Sequence, residues 1–415
     1  MQWLNRAMLR LPTENTLDRE EKIMAEWLKT SLIDIVELIG GGTPKTSKTE
    51  YWGGNINWLS VKDFNNENRY VYSTEKTITE EGLNNSSTKL LRKDDIIISA
   101  RGTVGELAMI PFPMAFNQSC YGIRAKEGID SIFLYYLIKN SVRKLKAITH
   151  GSVFDTITRD TFANIEVAIP DIKTQHRIAK MLADIDDKVE NNQRINNNLE
   201  QQAQAIFSNE FLTLETLPDG WKQASLIDIA DYLNGLAMQK YRPTANETGI
   251  RVLKIKELRQ GCCDDNSELC SPSIKSEYII HDGDVIFSWS GSLLVDFWCG
   301  GICGLNQHLF KVTSNKYDKW FYYAWTKHHL DRFIAVAADK ATTMGHIKRD
   351  ELSKAEVLIP NEADYKRIGA VLQPIYDLII ANRIENKKLA ETRDTLLPKL
   401  MSGELDVSDI VNLNQ

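Results

Sequence analysis

Apolar residues recur at alternating intervals of four and three along two stretches of the chain. In the first they fall at Ile178, Leu182, Ile185, Val189, Leu199, Ala203 and Ile206, and the same frame passes through Asn192 and Asn196. In the second they fall at Ile368, Leu372, Ile375, Ile379, Leu389 and Leu396, with Asn382 and Asn386 at the matching polar positions. Such a heptad pattern predicts a helix that buries one stripe against a partner helix, and an asparagine in the stripe costs stability while fixing register and orientation. The natural partner of each helix is the other. Proline suits the first turn of a helix better than its interior, so the second long helix is expected to start near Pro374. By analogy the first starts near Asp184, after a short preceding helix. That leaves about 25 residues per helix, roughly 37 Å at 1.5 Å each.

Between these stretches lie short apolar runs bounded by glycine and polar turns, and they come in two matching sets. Trp27 and Ser31-Leu-Ile-Asp-Ile35 recur as Trp221 and Ser225-Leu-Ile-Asp-Ile229, 194 residues on. Asp95-Ile-Ile-Ile-Ser99 with Gly102 recurs as Asp284-Val-Ile-Phe-Ser288 with Gly291, and Asn117-Gln118 as Asn306-Gln307, both 189 residues on. Tyr135-Tyr136, Arg159-Asp160, Ile169-Pro170 and Arg177-Ile178 find counterparts in the same order. A collinear repeat of this length predicts one fold used twice. The expected layout is an extension over residues 1–25, a globular unit over 26–170, a helical region over 171–215, a second globular unit over 216–360, a helical region over 361–405 and a tail over 406–415. The fold class is α+β, with two globular α/β domains in pseudo-twofold arrangement, joined by two long helices forming an antiparallel coiled coil.

The loops between the shared strands differ. Gly40-Gly-Gly-Thr-Pro-Lys45 faces Asn234-Gly-Leu-Ala-Met-Gln239, and Lys340-Ala-Thr-Thr-Met-Gly-His346 faces the region of Thr149-His-Gly-Ser152. A scaffold kept in duplicate under divergent loops suggests one task performed on two different targets, since loops carry specificity and the scaffold positions them. Two unlike heads held at a set distance would suit two unlike half-sites on duplex DNA.

Net charge is −6, which alone argues against a nucleic-acid partner, but the distribution removes most of that objection. Residues 31–170 and 221–360 are each balanced in charge, and the acidic excess sits in the two helical stretches. No run approaches the length of a membrane span, and Met1 to Leu11 lacks the apolar core of a secretory signal, so a cytoplasmic chain without membrane contact is expected. There is no G-x4-G-K-[ST] loop, no H-E-x-x-H, no G-x-S-x-G elbow and no N-P-P-Y stretch. Five of six cysteines fall between Cys262 and Cys303, with spacings that match zinc knuckles poorly. A zinc-dependent enzyme built on that cluster is one alternative, and a coiled-coil assembly scaffold without DNA affinity of its own is another.

Several loops carry nucleic-acid chemistry. Thr43-Pro-Lys-Thr-Ser-Lys48 with Tyr51 and Trp52 joins cations, hydroxyls and aromatics on a turn, and Arg101-Gly-Thr103 emerges at the end of an apolar strand. The candidate contacts in the first unit are Lys45, Thr46, Lys48, Ser60, Lys62, Arg101, Thr103, His150 and Ser152. In the second they are Lys240, Arg242, Lys254, Lys256, Ser290, Ser292, Lys340, Thr342, Thr343 and His346. Asn192, Asn196, Asn382 and Asn386 are the candidate register residues of the helices.

Taken together, Gly40-Gly-Gly-Thr-Pro44, Tyr51-Trp-Gly-Gly54, Trp58-Leu-Ser60, Lys62-Asp63, Ser99-Ala-Arg-Gly102 with Gly105, and Asn117-Gln118 make the chain resemble the specificity subunit of type I restriction-modification systems. The helical tails, with Gly403-Glu-Leu405 after the second, resemble it too. The resemblance runs from about Trp27 to Leu405, although Asn234 to Lys240 departs from the G-G-T-P pattern. It implies a non-catalytic reader of double-stranded DNA with no cofactor of its own. It also implies two modification subunits that bind S-adenosylmethionine and methylate adenine at N6, and restriction subunits that use ATP and Mg.

Overall fold

The computed structural model describes residues 27–66, 68–148, 156–339, 347 and 349–407. The chain forms two compact units, one made of residues up to Glu190 together with those from Leu389 onward, the other of Asn191–Lys388.

In the first unit β1 (Leu28–Ser31) pairs antiparallel with β10 (Glu166–Ile169), Leu28 opposite Ile169. One four-stranded sheet has the order β2 (Val36–Gly40), β9 (Cys120–Ala125), β6 (Ile96–Ser99), β7 (Leu107–Met109). The other has the order β4 (Lys76–Ile78), β3 (Trp52–Leu59), β8 (Met114–Phe116), β5 (Leu90–Leu91), with β3 and β8 parallel. Strand β6 reads Ile-Ile-Ile-Ser without alternation because both of its faces are covered. Ile96 and Ile98 pack on helix Ser131–Ile148, through Phe133, Leu134 and Leu137, and Ile97 packs on Leu59, Leu91 and Phe116. A strand buried on both faces has no polar face to show.

The second unit repeats this plan strand for strand. Here β11 (Lys222–Ser225) pairs with β20 (Glu356–Ile359). One sheet has the order β12 (Asp231–Asn234), β19 (Leu309–Thr313), β16 (Val285–Ser288), β17 (Leu294–Phe297). The other has the order β14 (Leu269–Cys270), β13 (Ile250–Leu253), β18 (Cys303–Leu305), β15 (Ile279–Ile280), with β13 and β18 again parallel. The double-sided burial recurs as well, with Val285 and Phe287 in one core and Ile286 in another. The aspartate before the central strand is ion-paired in both units, but from different positions: Arg124 meets Asp95 at 2.6 Å, whereas Lys311, which stands where Gly122 does, meets Asp284 at 2.9 Å.

Two long helices follow β10 and β20, at Ile172–Phe207 and Glu362–Met401. Each starts at a side-chain cap: Asp171 accepts from the backbone of Lys173 and Thr174, and Asn361 accepts from that of Asp364. The expected starts near Asp184 and Pro374 are therefore corrected, because each helix is continuous from its cap and Pro374 lies inside the second. An interior proline loses one hydrogen bond and costs about 3 kcal/mol. Burial on both sides of it, by Ile368 and Leu372 before and Tyr376 and Ile379 after, holds the helix through that position.

Within the second unit the two helical segments run antiparallel. Asn192 donates to Asn386 at 2.8 Å, Asn382 to Asn196 at 2.9 Å, and Arg367 pairs with Glu210 at 2.8 Å, so partner numbers fall as chain numbers rise. Asn196 also donates to the Ile379 carbonyl at 3.2 Å. Within the first unit, residues from the beginning of the first long helix meet residues from the end of the second. Ile178 and Leu182 share a core with Leu397, Leu400 and Met401, and Arg393 reaches Asp186 at 2.8 Å.

Candidate nucleic-acid interface

In the first unit three strands end at one place. The segments following the C-terminal ends of β3, β6 and β8 converge on an open cleft of about 460 Å³. Its lining includes Trp58, Ser60, Lys62, Asn65, Lys76, Arg101, Thr103, Asn117 and Ser119. Of the residues singled out from sequence, Ser60, Lys62, Arg101 and Thr103 come together here.

Each wall is built by local chemistry. After β3, Ser60 caps the short helix Val61–Phe64: its backbone and hydroxyl both reach Asp63 Oδ2, at 2.7 and 2.8 Å. The hydroxyl is thus engaged in the cap, while Lys62 in the same turn is exposed. The segment beyond is tied down by Arg69, which is buried, ion-paired with Asp187 and bonded through its backbone N–H to Glu190 at 3.2 Å. After β6, the Ser99 hydroxyl donates to the Thr103 carbonyl at 2.5 Å and accepts from the Glu106 N–H at 2.8 Å. With Gly102 at φ +80° the loop closes and leaves Arg101 at its exposed rim. After β8, Asn117 Oδ1 accepts from the Ser119 N–H at 3.1 Å, which spends the asparagine on its own turn.

Among the described residues, Lys62, Lys76 and Arg101 have no carboxylate partner within ion-pair distance; Lys76 lies over the Trp52 ring at 5.8 Å. Three cations without an ion-pair partner, beside hydroxyl and amide groups and the carboxylates of Asp63 and Glu75, suit phosphate oxygens and base edges on an open surface. No signal pointed to Lys76 in the sequence, because it stands outside every motif and joins the cleft only through the β3–β4 pairing.

Lys45, Thr46 and Lys48 sit on the exposed loop after β2 and do not line the cleft. The loop is pinned by Trp58 Nε1 donating to the Gly42 carbonyl at 3.0 Å and by Thr43 bonding Gln118. A Cβ at Gly41 would lie 2.1 Å from the Asn117 carbonyl oxygen, and one at Gly235 2.2 Å from that of Asn306, so both front loops keep one glycine for the same close approach. Lys48 is paired with Glu50 at 3.0 Å, which holds its ammonium above the usual lysine value.

The second unit carries the same turns with different side chains. Lys254 caps helix Ile255–Gln260, where Ser60 stands in the first unit, and pairs with Glu268 at 2.7 Å. Arg242 also reaches Glu268, at 3.5 Å, and Lys256 binds Asp264 at 2.9 Å; these ammonium and guanidinium groups lower the carboxyls of Glu268 and Asp264. Lys240 is exposed. Ser290, expected on the DNA side, is corrected: it is 1% exposed and lies 3.3 Å from His308 Nδ1, in the turn that Ser288 holds through the Ser292 carbonyl. Ser292 receives a hydrogen bond from Arg259. His150, Ser152, Lys340, Thr342, Thr343 and His346 lie outside the described residues.

The cysteines of the second unit are dispersed. Cys263 and Cys303 meet with their sulfurs 3.3 Å apart, Cys270 and Cys299 are buried elsewhere, and Cys262 is exposed. Among the described residues no group of three or more histidine, cysteine and acidic side chains is placed to hold a metal ion.

Known proteins share this plan. The family described as "Type I restriction modification DNA specificity domain" matches twice, over residues 24–201 and 218–391. The type I restriction enzyme MjaIX specificity subunit of Methanocaldococcus jannaschii is 29% identical over 417 residues, spanning 94% of this chain and 96% of that protein. The EcoR124I/EcoR124II specificity subunit of Escherichia coli is 32% identical over 169 residues, which are 39% of this chain and 41% of that one. The crystal structure of a type I restriction-modification S subunit from M. genitalium has the same fold, with a TM-score of 0.55 at 15% identity over 90% of this chain and 96% of its own. One family match on each repeat, together spanning most of the sequence, gives the conclusion that the chain belongs to the type I restriction-modification DNA specificity family.

Proposed function

We propose that this chain reads a bipartite, asymmetric duplex DNA target, one half with each unit, and docks two adenine-N6 methyltransferase subunits. Specificity subunits are the non-catalytic, DNA-recognising component of type I enzymes and carry no cofactor of their own. The bipartite reading goes further and rests on one observation: the two units have the same strand order, while the residues their turns present have been exchanged. Selection for one repeated target would keep those residues alike. In this reading residues 26–170 and 216–360 are the target-recognition domains, and residues 171–215 and 361–405 are the helical regions on which partners assemble. S-adenosylmethionine belongs to the methyltransferase subunits, and ATP with Mg to the restriction subunits. The assembly works in the cytoplasm; among the described residues no helix is long and apolar enough to cross a membrane.

The test is an exchange. Residues 31–170 are replaced by the corresponding unit of another specificity subunit, and the methylated sequence is read across the genome. One half of the target should change and the other stay. A change in both halves together would refute the assignment of one half to each unit. If the wild-type complex showed no salt-dependent binding to duplex DNA, the chain would be an assembly scaffold instead.

A further inference from the structure

The repeat allows the two reading surfaces to be compared position by position. The turn after β6 and the turn after β16 are held by the same bond, from the Ser99 hydroxyl to the Thr103 carbonyl at 2.5 Å and from the Ser288 hydroxyl to the Ser292 carbonyl at 2.8 Å. Their glycines, Gly102 and Gly291, both have positive φ, +80° and +66°. The side chains therefore correspond, Arg101 to Ser290 and Thr103 to Ser292. On the facing wall Ser60 and Lys254 both cap short helices, and the same count places Asn65 of the first unit opposite Arg259 of the second.

The arginine has changed walls. In the first unit it stands on the strand turn as Arg101, with Asn65 across the cleft. In the second unit the position of Arg101 is the buried Ser290, and an arginine occupies the facing helix, where its guanidinium donates to the Ser292 hydroxyl on the strand turn. Four cations are carried by β13 and the helix after it. Arg251 pairs with Asp265 at 3.0 Å, Lys254 with Glu268 at 2.7 Å and Lys256 with Asp264 at 2.9 Å. Among the described residues Arg259 alone of the four ends on a neutral hydroxyl. It is exposed, has no carboxylate partner among the described ion pairs, and donates one hydrogen bond to the opposite wall.

We propose that Arg259 is a specificity-determining residue of the second unit, reading a guanine edge through O6 and N7, and that Ser292 positions it. This rests on the reading of the chain as a two-headed DNA reader. A guanidinium whose fork is oriented beforehand loses little freedom on forming two parallel bonds, and the guanine major-groove edge offers two acceptors at that spacing. A cation serving only a phosphate needs no such support from a neutral partner.

The experiment uses the full chain assembled with its methyltransferase subunits and duplexes of the wild-type target, substituted one base pair at a time in either half. The wild-type complex first has to discriminate in both halves; if it does not, the two-headed reading fails and the role of Arg259 fails with it. Given that discrimination, R259A should lose roughly 5- to 150-fold of it at one G·C pair of the second half-site and leave every pair of the first half unaltered. S292A should lose a smaller part at the same pair, and R259K should not rescue, since an ammonium lacks the fork. A uniform loss at all sequences, with the salt dependence flattened by about one, would make Arg259 a phosphate contact and overturn the proposal. So would unchanged discrimination at every position. S292A leaves the arginine in place, so if R259A does not assemble, an S292A complex with full discrimination is equally decisive against it.

Discussion

The buried asparagines of the second unit give a sharp test of the helical seam. Asn196 and Asn382 are 5% and 8% exposed, and their side chains share one hydrogen bond of 2.9 Å. Replacing Asn382 by leucine adds apolar burial but leaves Asn196 Oδ1 without its donor; replacing Asn196 leaves Asn382 Nδ2 without its acceptor. Each orphaned buried group costs about 1–3 kcal/mol. In the double variant neither orphan exists. The apolar gains of the two leucines enter the single and double variants alike and cancel in the cycle. The coupling that remains is the sum of the two orphan costs less one hydrogen bond of about 1 kcal/mol, so the double variant should exceed the additive expectation by about 1–5 kcal/mol. Native-state hydrogen exchange on peptides from residues 191–207 and 362–388 reads the opening free energy in all four proteins. Additivity within about 0.5 kcal/mol would mean that the two side chains do not meet in a dry seam.

Other outcomes follow from other contacts. In the first unit Arg393 and Asp186 are both buried, with Tyr136 donating to the same carboxylate at 2.6 Å, so R393M should destabilise the unit by about 3–5 kcal/mol; adding D186L together with Y136F, which removes the hydroxyl left without an acceptor, should restore most of that in a urea melt. Burial pushes His329 down to about 4 and leaves it neutral against the Glu356 carbonyl at 2.8 Å. The unfolded chain then takes up a proton that the folded one refuses. Stability of the second unit should be level above about pH 6.5 and fall toward pH 4, by on the order of 1–3 kcal/mol after solvent screening, and H329Q should flatten that limb of a stability–pH profile. Lys45 is exposed on the first unit's front loop, and K45A should weaken binding to all duplexes alike and lower the salt slope by about one, as read by titration at several salt concentrations.

The helices and the duplication were legible in the sequence because both are periodic. Period and offset survive substitution, and the asparagines at 192, 196, 382 and 386 stood out by breaking an apolar stripe. The start of the second helix was misread because Pro374 carries a strong local rule, which packing by Leu372 and Tyr376 overrides. The cleft was half legible. Ser60, Lys62, Arg101 and Thr103 lie in motifs, whereas Lys76 is brought in by a strand pairing that no local pattern announces. Ser290 looked like a surface hydroxyl beside Trp289 and Gly291, and its burial depends on His308, 18 residues away, which no local pattern announces. Arg259 was missed because its meaning depends on Ser292, 33 residues away, and on what Arg101 does in the other copy.

The second unit is an uninterrupted run of chain, whereas the first is completed by residues from Leu389 onward. Synthesis on the ribosome therefore finishes the units in the reverse of their order. Val36, Ile96 and Phe133 are made before the second unit, but Leu397, Leu400, Met401 and Val407, which share their core, emerge only after it. Until then the first unit has an open apolar face, and the second can close before it. A premature stop after Lys388 would thus spare the contiguous unit and damage the one whose synthesis began before it.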